Sequence, residues 1–179
     1  MNPYLDASER TLGSVNYGDI LLEVLEQNIK VVALDADLIS ASGARKAWLK
    51  YPNRFFNVGI AEANMIGIAA GLSMTGFVPF IHTFAAFATR RTFDQIYLSC
   101  AYADNNVKIF GSDGGFSIGV NGGTHTSYED LGIIRLLPTA TVLEPCDRVQ
   151  LRWVMNALLD TRGVHYTGVC RRRVVNGCG

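Results

Sequence analysis

The chain has 179 residues, 49% hydrophobic and 18% charged, and its 16 Lys and Arg balance its 16 Asp and Glu to a formal net charge of zero. That length and apolar content suffice for one domain with a sizeable core. The neutral balance excludes the basic face that a nucleic-acid or anionic-membrane binder needs, and it leaves little colloidal repulsion in a chain that could hide surface in an assembly.

The opening "MNPYLDASER" lacks the basic-then-apolar pattern of a secretory signal, and residues 1–13 read as an N-terminal arm. In "SVNYGDILLEVLEQN", Ile20, Leu21, Val24 and Leu25 fall at helical spacing, with Ser14 or Asn16 as a possible cap. "KVVALDAD" is an apolar run ending in acids, which predicts a buried strand. "ARKAWLKYP" predicts a short helix stopped by Pro52, and "RFFNVG" a second strand. "GIAEANMIGIAAGLS" predicts a helix whose Gly59, Gly67 and Gly71 permit close packing.

"VPFIHT" predicts the third strand, "FAAFATRRTFDQIYLSCAYA" one long helix and "NVKIFGS" the fourth strand. A Gly-rich loop, "DGGFSIGVNGGTH", leads to a short helix around "YEDLGIIRLL". "ATVLEP", "DRVQLRWVMNALLD" and "GVHYTGV" complete the series as strand, helix and strand. Residues 172–179 form an atypical basic tail.

Strands this apolar are covered on both faces, the habit of parallel sheets. The expected fold is therefore α/β: an open, mostly parallel sheet of about six strands with helices on both faces, in a single domain spanning 1–179. The stretch from Ala63 to Thr89 carries no Asp, Glu, Lys or Arg and is long enough for a bilayer. Gly67, Gly71, Gly76 and Pro79 interrupt it, so it reads as a buried helix followed by a buried strand, with no membrane span.

Cys100, Cys146, Cys170 and Cys178 show no C-x-x-C spacing and read as reduced thiols of a cytoplasmic protein. His82, His125 and His165 form no ligand pattern, and no metal site is expected in this chain.

Ligands of open α/β sheets sit beyond the carboxyl ends of the strands, which directs attention to the segments that follow them. Glu62 stands there as a lone acid among Ile60, Ala61, Ala63, Met65 and Ile66. A carboxylate early in a helix gains from the dipole alone, but one walled by apolar residues can serve in proton exchange. Phe84 and Phe87, one helical turn apart, fit either core packing or a flat slot for a ring. "GSDGGFSIGVNGGTH" fits neither the P-loop nor the dinucleotide fingerprint, and His125 at its end is the best acid/base candidate among the histidines.

Taken in order, "GIAEANMIGIAAGLS", "PFIHTFAAFATRRTFDQI" and "SIGVNGGTHTSYEDLGIIRLLPTATVLEP" resemble the pyrimidine-binding domain of the transketolase family, from about Val31 to Arg171. The resemblance implies thiamine diphosphate as cofactor, with Glu62 sharing a proton with N1′ of its aminopyrimidine ring. It further implies Phe84 and Phe87 as the aromatic slot, and Arg90 where many transketolases carry another aromatic wall residue. Asp37 matches an acid that positions the cofactor at the subunit boundary. His125 matches a histidine facing the sugar, and Arg171 a group meeting a sugar phosphate. Asn121 and Asp113 depart from the aspartate and histidine typical of those positions, which bears on the substrate more than on the cofactor.

The metal motif that anchors the diphosphate through Mg²⁺ in this family is absent; "SDGG" at Ser112 is not followed by the required Asn. The resemblance therefore implies the C-terminal-section subunit of a split transketolase, truncated before the third domain. It would form a homodimer and need a separate diphosphate-domain subunit to bind Mg²⁺ and act on sugar phosphates. A deoxyxylulose phosphate synthase-like enzyme, a 2-oxo acid dehydrogenase beta-type subunit and a non-catalytic assembly module stand as alternatives.

Overall fold

The structure, a computed structural model, describes residues 13–14, 17–116, 121–169 and 173–174. Its elements in chain order are β1 (Gly13–Ser14), α1 (Tyr17–Gln27), β2 (Val31–Asp35), α2 (Ile39–Ser42), α3 (Arg45–Lys50), β3 (Phe55–Asn57), α4 (Glu62–Met74) and β4 (Val78–Phe84). There follow α5 (Ala85–Ala88), α6 (Phe93–Gln95), a π-helix (Ile96–Tyr102), β5 (Lys108–Ser112), α7 (Asp130–Ile134), β6 (Thr141–Leu143), α8 (Arg148–Asp160), β7 (His165–Val169) and β8 (Arg173–Val174).

β2, β4, β5 and β7 are buried at every position, which is why none of them shows polar alternation. With β3 and β6 at the edges they form one six-stranded, wholly parallel sheet in the order β3-β2-β4-β5-β7-β6. All six strands expected from the sequence are present. One face is covered by α1, α3 and α8 through Ile20, Val24, Ala47, Leu151 and Met155. The other is covered by α4, the π-helix and the α7 region through Met65, Ile66, Ile96 and Ile134.

The chain runs from β2 outward to β3, then returns past β2 to β4, so its direction of winding reverses between β2 and β4. The strand ends beside such a reversal are the usual ligand position in such sheets.

Four features differ from the sequence reading. The expected long helix after β4 is broken into α5, α6 and the π-helix. Thr89 leaves helical geometry at φ −124°, ψ −81°. Its hydroxyl donates to Ala85 O at 2.7 Å, and that of Thr92 donates to Phe87 O at 3.2 Å. Such back-bonding offers the backbone an alternative to the helix ladder. The short α2 was not expected. It ends on Gly43 in the left-handed region, and a side chain at Gly18 of α1 would run into the Gly43 backbone, so both glycines are needed for this junction.

Gly67 and Gly71 of α4 face open space instead of a packed neighbour. Within the arm and tail, Gly13–Ser14 pairs antiparallel with Arg173–Val174. Arg171 lies outside the described residues, as do both candidate caps of α1 apart from the backbone of Ser14. Among the described residues no helix is long and apolar enough to cross a membrane.

Candidate active site

β3 ends at Asn57, and the chain turns through Gly59 at φ 75° to start α4 at Glu62. The cap residue Ala61 offers no side-chain acceptor to the first helical turn. Glu62 thus brings its negative charge to the positive end of the helix, where the macrodipole favours it. It is buried, and its Oε1 lies 3.0 Å from Nη1 of Arg91.

The Arg91 guanidinium carbon also sits 3.9 Å from the centroid of the Phe87 ring. Phe87 in turn lies 5.9 Å from Phe84, centroid to centroid. The His125 ring meets both edge-on, at 5.1 Å from Phe87 and 6.0 Å from Phe84. One continuous cluster therefore runs from the buried carboxylate through a cation and two phenyl rings to a half-buried imidazole.

Arg91 is the member that sequence reasoning missed. The signal was present: an acid in an apolar stretch needs a counter-charge, and "TRR" offers two. The neighbour, Arg90, turns the other way. Its Nη1 pairs with Glu129 Oε1 at 2.8 Å, and its Nη2 donates to the carbonyl oxygens of Thr124 at 2.9 Å and Gly123 at 3.2 Å. Arg90 thus braces the loop that presents His125, at a position where the resemblance puts a wall residue.

The loop itself leaves β5 at Asp113, a buried residue at φ 60° whose N–H donates to Val169 O at 3.0 Å. Gly115 N donates to Ser127 O and closes the loop's neck. Asn121 is exposed near the far end, its carbonyl 3.4 Å from the Thr124 hydroxyl, and that hydroxyl is 2.8 Å from His125 Nδ1. Asp113 and Asn121 therefore belong to the same loop as His125. Residues 117–120 between them lie outside the described residues.

Asp37 sits elsewhere on the rim. It holds φ 63° in the turn after β2, its N–H donates to Asn57 Oδ1, and Asn57 Nδ2 donates back to Asp37 Oδ1, each at 3.0 Å. Together with Ile39, Ser40, Arg45, Trp48 and Asn57 it lines a cavity of about 300 Å³ beyond the ends of β2 and β3. Its hydrogen bonds run to Asn57, whereas Glu62, Phe84, Phe87 and His125 are joined through Arg91 and the rings.

Two strongly displaced titratable groups lie at the opposite end of the sheet. Burial pulls the Lys108 amine down to about 7, and burial together with the Lys108 charge pulls His165 down to about 4. Both stand on the first residues of their strands, and Lys108 caps the carbonyls that follow α8. Displaced values of this kind mark a structural clip here and not a site. Among the described residues no group of three or more His, Cys, Asp or Glu side chains could hold a metal ion.

Residues 14–173 match the family described as "Transketolase, pyrimidine binding domain". The chain is 49% identical over 159 residues to the 6-deoxy-6-sulfo-D-fructose transketolase subunit SqwH of Clostridium sp. (strain MSTE9), covering 89% of this chain and 49% of that protein. It is 36% identical over 156 residues to the putative transketolase C-terminal section of Methanocaldococcus jannaschii, covering 87% and 49%. Among solved structures, a split gene transketolase described as an inactive beta4 tetramer superposes with a TM-score of 0.79 at 39% identity, covering 89% of this chain and 51% of that one. The chain thus spans about half the length of these relatives.

Proposed function

Because this chain belongs to the transketolase family through its pyrimidine-binding domain, we propose that it supplies the pyrimidine half of a thiamine diphosphate-dependent transketolase. The enzyme moves a two-carbon ketol unit between sugar phosphates. The diphosphate and its Mg²⁺ are held by a separate diphosphate-domain subunit, and the assembly is at least dimeric and cytoplasmic. The open face of α4 beside Gly67 and Gly71 supports an assembly in which another chain covers it.

The observation that carries this reading is the buried Glu62 carboxylate at the end of a cluster of flat rings. A heterocycle with a basic ring nitrogen fits such a set, since the acid can share a proton with that nitrogen while the phenyl rings pack its faces or edges. Thiamine diphosphate, when bound, supplies the carbanion chemistry of ketol transfer. The chain's own residues do the rest. Glu62 holds a proton at N1′, and Phe84 and Phe87 orient the ring. His125, braced through Arg90, faces the sugar. Asp113 and Asn121 border the sugar from the same loop, Asp37 faces the cofactor from the subunit boundary, and Arg171 meets the acid group of the sugar.

The test mixes the chain with a candidate diphosphate-domain subunit, thiamine diphosphate and Mg²⁺ and follows ketol transfer. Since the relative at 49% identity is named for a 6-sulfonated ketose, that sugar class is assayed beside the sugar phosphates. Activity is expected only with both subunits, and Glu62→Gln should lose about 100-fold or more, the scale of one general acid/base group. Equal activity of Glu62→Gln and wild type would overturn the proton role. Absence of transfer with every partner would leave an assembly module.

A further inference from the structure

Arg91 occupies both groups that the proposed function reserves for the aminopyrimidine. Its Nη1 is 3.0 Å from Glu62 Oε1, and its guanidinium carbon is 3.9 Å from the Phe87 centroid. A guanidinium is flat, delocalised and rich in N–H donors, and it both stacks on rings and pairs with carboxylates. These are the attributes by which an aminopyrimidine would be recognised at the same two residues.

Exposure separates the partners. The Glu62 side chain is 5% exposed and that of Arg91 46%. A half-exposed cation thus covers a buried anion that would otherwise be costly to keep unpaired. Arg91 also stands in the turn between α5 and α6, where Thr92 N donates to Thr89 O and the helix is interrupted. A side chain on that turn can swing to solvent without unwinding a helix.

We propose that Arg91 is a placeholder: in the cofactor-free chain it satisfies Glu62 and covers Phe87, and it is displaced to solvent when an aminopyrimidine ring enters. The inference rests on the assignment of Glu62 as the partner of N1′. Cofactor entry then exchanges one Glu62 partner for another, and the carboxylate is left unpaired in neither state. It also makes Arg91 a competitor whose removal favours the ring.

The test uses the full chain and 4-amino-2,5-dimethylpyrimidine, the bare ring, titrated by calorimetry and followed through the ¹H–¹⁵N signal of the Arg91 Nε. Arg91→Met keeps the aliphatic stem and removes the charge. It is expected to bind the ring on the order of five- to tenfold more tightly than wild type, the worth of one stacked, half-exposed cation. Arg91→Lys retains the charge without the planar stack and should bind about two- to threefold more tightly, which keeps the test open should Arg91→Met fail to fold. In wild type the Arg91 Nε signal should shift toward that of a solvated arginine as the ring saturates.

Binding to Arg91→Met and Arg91→Lys that is no tighter than wild type, yet abolished by Glu62→Gln, overturns the placeholder and leaves the Glu62 assignment standing. Binding that is indifferent to Glu62→Gln, or absent from every variant, overturns the Glu62 assignment and the placeholder with it.

Discussion

Lys108 opens β5 fully buried, with its Nζ donating to the carbonyl oxygens of Thr161 and Gly163 and lying 3.0 Å from Nδ1 of His165. Burial pulls its pKa from 10.5 to about 7, while His165, at about 4, stays neutral throughout the neutral and basic range. In the unfolded chain a lysine keeps its proton to about pH 10.4. Between pH 7 and 9 the unfolded state therefore holds from about half a proton to nearly one proton more than the folded state, and stability rises with pH. At about 1.36 kcal/mol per pH unit and per proton, two pH units set a ceiling of about 2.7 kcal/mol. Because the folded amine is still half protonated at pH 7, the expected rise is nearer to about 2 kcal/mol. Urea unfolding of wild type and Lys108→Met at pH 7, 8 and 9 checks this, because the difference between the two cancels groups they share. The wild type should gain about 2 kcal/mol relative to the variant across that window. A difference that stays flat refutes the depressed amine and means that the carbonyls of Thr161 and Gly163 keep the ammonium charged.

Other consequences are open to simpler measurements. The hydroxyl of Tyr166 donates to Asp130 Oδ2 at 2.7 Å within the core. Tyr166→Phe, which takes this donor from a buried acid, should cost about 1–3 kcal/mol in urea unfolding at unchanged m-value; wild-type stability would refute it. Arg90→Ala releases the loop from Glu129, Gly123 and Thr124. Its effect on stability should stay below about 1 kcal/mol, because the pair is half-exposed. In the two-subunit assay its KM for the sugar should rise about tenfold, the scale of about 1.4 kcal/mol, with kcat changed less; an unchanged KM would count against the brace. Burial pushes the Cys100 thiol up to about 12. Brief alkylation with mass mapping should therefore mark the half-buried Cys146 before Cys100, and the reverse order would contradict the described packing.

The sheet was legible because strands buried on both faces are uniform apolar runs, and "VVALD" and "VPFIHTF" allow little else. The break after β4 was not legible. Phe84, Ala88, Phe93, Ile96 and Cys100 keep an apolar rhythm across it, and apolar spacing does not register two threonine hydroxyls turning back on their own chain. α2, at four residues, is too short for any period, and the two-residue pairing of β1 with β8 carries no pattern at all. At the site, the lone acid and the two phenylalanines could be singled out from their surroundings. The need for a cation could be read as well, but not the choice between Arg90 and Arg91. Adjacent side chains diverge according to the turn that carries them, and that turn is the part the periodicity concealed.

The two acids at the head of the sheet show what distinguishes structural charge from charge held in reserve. Asp35 is fully buried at the end of β2, with Oδ1 accepting from Leu38 N and Oδ2 3.2 Å from Nδ1 of His82, its register partner on β4. His82 is itself buried and stacked on Tyr17 at 5.0 Å. Both partners of Asp35 are thus fixed by the core. The pair ties β2 to β4 at the reversal of the sheet, two residues before Asp37 on one strand and two before Phe84 on the other. No incoming group can take the place of a backbone amide and a buried imidazole without dismantling that junction. Glu62 is as well buried, yet its partner is a half-exposed arginine on a turn. A carboxylate whose counter-charge can leave is able to accept a new partner at the cost of a side-chain rotation. On the function and the placeholder role proposed above, that difference in exchangeability, more than burial, makes Glu62 the acid of the site and Asp35 its scaffold.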